Sequence, residues 1–179
     1  MGRGGRATGE ASVTSELRVG TGFDVHRLVS GRPLMLGGVE IPYDRGLAGH
    51  SDGDCLFHAI CDAVLGALAA GDIGAHFPSS DPRWKGVASL VFIAHVMQIA
   101  RARGYAVENL DTTVIAEAPQ LAGHVDAMRS SLARALGIED SRVSIKVKSA
   151  DGLGAIGRGE GIAAQAACLL RRQPPMEPQ

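Results

Sequence analysis

Three side chains able to hold a cation are spaced so that regular structure can bring them together. Asp24 and His26 stand two residues apart in a stretch, Leu17 to Val25, that reads as a strand, and strand alternation puts both on one face. His58 stands in the opening turns of a segment with helical periodicity. One carboxylate and two imidazoles supply three protein ligands and leave a fourth position open, which is the count of a catalytic zinc site. The same donors suit Mn²⁺ or Co²⁺.

The segment around His58 is dense in such groups. Gly49-His50-Ser51-Asp52-Gly53-Asp54 precedes an apolar run in which Asp54, His58 and Asp62 recur every four residues, along one helical face. Ser51 or Asp52 is the expected cap. The plainer alternative is that the acids complement the helix dipole and His58 is a half-buried histidine. A second group of polar residues lies near the C-terminus. Ser149, Ala150 and Asp151 end a strand and lead into a glycine-rich turn carrying Arg158, so a hydroxyl, a hard-cation ligand and a guanidinium fork are available for phosphate. An ordinary hairpin turn with a surface ion pair would use the same residues. No Walker A loop is present, and the glycines from Gly152 do not open a helix as a dinucleotide fingerprint requires.

Positioning these groups requires a single domain of ordinary size. The 179 residues are 45% hydrophobic, enough to bury a core without disulfides or a structural metal. A net charge of -1 with interspersed signs gives no nucleic-acid or membrane surface. Three cysteines lacking metal or redox spacing, and no apolar run of roughly 18 residues, read as a reduced, cytoplasmic protein. Residues 1–16 and 172–179 are expected to be disordered tails around a domain spanning 17–171.

Within that domain, a small hairpin is expected at Pro33 to Pro42, and helices over Asp52 to Ala70, Val87 to Arg103 and from Pro119 to Gly137. Strands are expected at Val107 to Ala118, Val143 to Ser149 and Gly161 to Leu170. Phe77 to Asp81 falls in a long loop, ordered by its apolar residues. The resulting expectation is an α/β (α+β) two-layer sandwich, a mixed sheet with helices on one face. Its alanine-lined strands, such as Ala163 to Ala167, would suit close packing of subunits.

Four stretches in this order, Gly20-Thr21-Gly22-Phe23-Asp24-Val25-His26, Gly49 to Asp54, Gly71-Asp72-Ile73-Gly74 with Phe77-Pro78, and Gly157-Arg158-Gly159-Glu160-Gly161, closely resemble the 2-C-methyl-D-erythritol 2,4-cyclodiphosphate synthase family of the non-mevalonate isoprenoid pathway. The likeness runs from about Arg18 to Leu170. It implies a homotrimer with active sites between subunits and a phosphorus-oxygen lyase reaction. In it the 2-phosphate of 4-diphosphocytidyl-2-C-methyl-D-erythritol 2-phosphate attacks its own β-phosphorus and releases CMP. By the resemblance Asp24, His26 and His58 bind zinc, Asp151 holds Mg²⁺ (or Mn²⁺) at the diphosphate, and His50 and Ser149 steady the transferring group.

The resemblance also assigns binding surfaces. Ser51, Asp72, Ile73, Gly74, Phe77, Pro78, Ser79, Ser80 and Asp81 would line the methylerythritol phosphate pocket. Ala116, Glu117, Ala118, Pro119, Gln120, Leu121 and Ala122 would form the cytosine pocket, and Lys148, Ala150, Ala155 and Arg158 would contribute nearby. Several positions depart from the family pattern: Lys148-Ser149-Ala150 replaces a run of threonines, Ala155 a phenylalanine and Gln120 a lysine. Ser149 keeps a hydroxyl for the same role, and Ala155 would widen any apolar cavity on a trimer axis. Two other readings use the same residues, a zinc-dependent phosphate-ester hydrolase and a non-enzymatic trimeric isoprenoid- or nucleotide-binding protein.

Overall fold

In the computed structural model, which describes residues 16–174, the chain builds a five-stranded mixed sheet covered by helices on one face. The elements follow in the order β1 (Leu17–Ser30), β2 (Leu34–Leu36), β3 (Val39–Ile41), β4 (Arg45–Leu47), α1 (Cys55–Ala67), α2 (Ile73–His76), α3 (Ser89–Ala102), β5 (Tyr105–Ile115), α4 (Val125–Leu136), β6 (Val143–Lys148), α5 (Gly154–Gly157) and β7 (Gly161–Arg172). Sheet order is β4-β1-β7-β5-β6, with β5 and β6 parallel and the other pairs antiparallel; β2 and β3 form the separate hairpin that the Gly37-Gly38 turn predicts. Most of both expected tails lies outside the described residues. Glu16 and Arg172 are described and form an ion pair at 2.9 Å.

Alternation along β1 divides its two faces sharply. Gly20, Gly22, Asp24 and His26 turn toward α1, whereas Val19, Phe23 and Val25 stand on the opposite face and are 71%, 59% and 51% exposed. The glycines are required by α1. A Cβ on Gly20 would lie 1.9 Å from the Ala63 carbonyl oxygen, and one on Gly22 would lie 2.0 Å from that of Ala59. Ala59, Ala63 and Ala67 recur every four residues, so one small-residue ridge of the helix meets the bare backbone of the strand.

The helix α1 differs from expectation in two ways. Its periodicity predicts one apolar face, yet it is buried almost all round, because the sheet, α3 and the β2–β3 hairpin enclose it. Burial pushes the thiols of Cys55 and Cys61 well above their usual range, consistent with reduced core residues. Neither Ser51 nor Asp52 caps it. Asp54 does: its carboxylate accepts from the amides of Leu56 and Phe57 at 3.1 Å and from Gly37 and Gly38 at 2.9 and 2.7 Å. Asp54 is fully buried, so one side chain ties the helix start to the hairpin turn.

Pro119 is not the first residue of a helix either. It follows a cis bond from Ala118 in the loop after β5, and helical structure begins at Ala122 as a 3₁₀ turn leading into α4. No helix among the described residues is long and apolar enough to cross a membrane.

Two substitutions report on this framework by chemical denaturation. Gly22→Ala forces a methyl against a backbone carbonyl that cannot yield, and should cost about 3 kcal/mol of stability. Asp54→Ala strands buried amides and should cost about 3 kcal/mol or more, with Asp54→Asn intermediate.

Candidate metal centre and adjoining cavities

Strand β1 and helix α1 bring the three expected ligands together. Asp24 Oδ2 lies 2.8 Å from His26 Nε2 and 2.9 Å from His58 Nδ1, and the two ring nitrogens are 3.1 Å apart. Tetrahedral zinc with ligand bonds near 2 Å would separate its donors by about 3.3 Å, so this triangle is close to closing on one ion. Among the described residues it is the group of three such ligand atoms able to hold a metal.

Each imidazole is oriented from its far side. His26 Nδ1 donates to the Ala48 carbonyl, which can only accept, so its Nε2 faces the centre. His58 presents Nδ1, because Nε2 is turned to the hydroxyls of Ser89 at 2.9 Å and Ser51 at 3.1 Å. Electrostatics favour a cation here. Burial works against ionisation of Asp24, but its hydrogen bonds with His26 and His58 outweigh that and hold the carboxyl well below the usual range. The hydrogen bond with Asp24 in turn raises His26. Three electron-rich atoms therefore converge on one point, where a cation would offset their mutual repulsion, and the donor set fits a borderline divalent ion.

Beside the triangle is a cavity of about 150 Å³ lined by His26, His50, Ser51, His58, Ile73, Gly74, Phe77, Ser79, Trp84 and Phe92. Of the expected pocket residues, Ser51, Ile73, Gly74, Phe77 and Ser79 line it, and His50, expected to steady the transferring group, lines it too. Asp72, Pro78, Ser80 and Asp81 do not: Asp72 caps α2 through Ala75, Pro78 and Ser80 are exposed, and Asp81 is paired with Arg83 at 2.6 Å. His50 Nε2 faces the Asp81 carbonyl at 3.4 Å. Asp62, the third member of the expected stripe, accepts from the Ile73 amide at 2.8 Å and so anchors the loop. Trp84, Phe92 and Ser89 were not legible as site residues, since each reaches the site only through the fold.

A second cavity, about 240 Å³, opens where the parallel strands β5 and β6 end, the usual crevice of a parallel pair. Ala116, Glu117, Pro119, Gln120, Leu121, Ala122, Val147, Lys148 and Ser149 line it, whereas Ala118 and Ala150 do not. Glu117 accepts from the Ala150 and Gly152 amides at 3.3 and 3.5 Å, joining the two loops. Ser149 donates to Asp151 at 2.8 Å. Asp151 and Ala155 are exposed, and Arg158 is paired with Glu160 at 2.6 Å on the surface.

The two cavities share no lining residue. Val25, Ala163, Ile115 and Lys148 stand in one row across β1, β7, β5 and β6, so three strand spacings, about 14 Å, separate the metal ligands from Lys148 and Ser149 in one chain.

Comparison with known proteins follows the same outline. The YgbB family profile matches residues 17–171. The 2-C-methyl-D-erythritol 2,4-cyclodiphosphate synthase of Geotalea daltonii is 54% identical over 163 residues, 91% of this chain and 95% of that protein. The synthase of Laribacter hongkongensis is 57% identical over 155 residues, 87% of this chain and 96% of that protein. A solved synthase structure described as the CDP-bound form superposes with a TM-score of 0.80 at 40% identity, covering 86% of this chain and 99% of that one. The chain belongs to the YgbB family, in company with these 2-C-methyl-D-erythritol 2,4-cyclodiphosphate synthases.

Proposed function

We propose that this chain is a phosphorus-oxygen lyase that converts 4-diphosphocytidyl-2-C-methyl-D-erythritol 2-phosphate to 2-C-methyl-D-erythritol 2,4-cyclodiphosphate and CMP, in non-mevalonate isoprenoid biosynthesis. The observation that carries the reading is the Asp24, His26 and His58 triangle beside a small cavity, in a chain more than half identical to the Geotalea and Laribacter synthases. An oxygen of the 2-phosphate bonds to the β-phosphorus as the bond from that phosphorus to the bridging oxygen breaks, and CMP leaves with the electron pair. The nucleophile is already ionised, so alignment and charge neutralisation suffice and no general base is needed.

Asp24, His26 and His58 would hold Zn²⁺, or Mn²⁺ or Co²⁺, which when bound draws charge from the β-phosphate oxygens. Asp151 would hold Mg²⁺ or Mn²⁺, which would neutralise charge on the diphosphate. His50 and Ser149 steady the transferring group by hydrogen bonding. The cavity of Ile73, Gly74 and Phe77 takes the methylerythritol phosphate end, and the cavity around Pro119 takes cytosine through backbone amides.

A homotrimer completes this reading. A diphosphate cannot span about 14 Å, so the Asp24, His26 and His58 cluster of one copy and Ser149 of another would have to meet. The apolar outer face of β1 supports an assembly that brings them together. The whole is a cytoplasmic enzyme with no call for nucleic acid or membrane.

With substrate, Zn²⁺ and Mg²⁺, the protein is expected to yield CMP and cyclic diphosphate in equal amounts; inorganic phosphate instead would identify a hydrolase, and binding without turnover a non-enzymatic protein. His58→Ala should abolish turnover and lower bound zinc well below one per chain by elemental analysis. Sedimentation should find three copies. Val19→Glu with Val25→Glu should release folded, inactive monomers, and an unchanged trimer would rule out the β1 face as its interface.

A further inference from the structure

The buried groups behind His58 form a chain that the proposed reaction does not use. Ser89, the first residue of α3, is fully buried, and its Oγ lies 2.9 Å from His58 Nε2. The same Oγ donates to Asp52 Oδ1 at 2.5 Å. Both oxygens of Asp52 also accept backbone amides, Oδ2 from Ser89 at 3.0 Å and Oδ1 from Asp54 at 3.2 Å, so the carboxylate is fixed as an acceptor. A hydroxyl has one proton. With that proton committed to Asp52, Ser89 Oγ meets His58 as an acceptor, and Nε2 must be the nitrogen that carries hydrogen. The Nδ1 lone pair is then left facing Asp24 and His26.

We propose that Ser89, backed by Asp52, is a positioning residue that fixes the tautomer and ring orientation with which His58 meets a metal. Groups that hold the far nitrogen of a ligating imidazole commonly change metal affinity by about 10- to 100-fold when removed. The inference rests on the metal-centre reading above. Ser51 Oγ, 3.1 Å from the same nitrogen and 3.3 Å from Ser89 Oγ, cannot replace Ser89, because it makes no hydrogen bond to Asp52.

The test is zinc affinity, measured by competition with a chromophoric chelator, alongside the melting temperature of the metal-free protein. Ser89→Ala keeps the backbone bond to Asp52 and loses only the hydroxyl. It should bind zinc about tenfold or more weakly, with a metal-free melting temperature within a few degrees of the parent's. Ser89→Thr restores the oxygen and should bind within about threefold of the parent. Ser89→Ala binding within about twofold of the parent, or Ser89→Thr weakened about tenfold, overturns the assignment. A parent that binds no zinc overturns the metal-centre reading and this inference with it, whereas a zinc-binding parent with an unaffected Ser89→Ala overturns this inference alone.

Discussion

The close approach of β1 to α1 governs the rest of the molecule. A strand and a helix normally stand far enough apart to accommodate side chains from both, but here Gly20 and Gly22 leave the strand bare where Ala59, Ala63 and Ala67 reach it. That contact sets the height of the helix over the sheet. Two residues further along the same strand face, Asp24 and then His26 emerge at the distance from which His58, on the neighbouring turn of the helix, can be met. Small residues bury little apolar area each, and the large side chains of Phe57, Leu56, Ile60 and Leu65 on the other sides of α1 supply the burial that holds it.

Electrostatics then concentrate on the point that packing defines. Fixing the far nitrogens, His26 against Ala48 and His58 against Ser89, leaves the near nitrogens turned toward Asp24. The ligand atoms, 2.8, 2.9 and 3.1 Å apart, thus lie within about half an ångström of tetrahedral spacing.

Much of this was readable from the sequence because it depends on periodicity. Asp24 and His26 share a face by strand alternation, and the mixed sheet, the hairpin and the order of helices follow from apolar spacing and glycine punctuation. What was not readable depends on contacts between distant segments. Ser51, Asp52 and Asp54 are three acceptors within four residues, any of which can cap a helix, and only the position of the Gly37-Gly38 turn selects Asp54. Ser89 lies 31 residues from His58, in a helix whose own pattern is that of scaffold. Pro119 has the residue type of a helix start, but its cis bond belongs to the loop that shapes the second cavity.

The anchoring of the Ile73 amide on Asp62 has a further consequence. His58 and Asp62 are four residues apart on α1, one turn of helix, or about 6 Å of axial rise. The first residue gives a nitrogen to the cluster with Asp24 and His26, and the second holds the segment whose Ile73, Gly74 and Phe77 wall the cavity. The pitch of a buried helix is therefore the ruler that sets how far the cavity wall stands from the three clustered side chains.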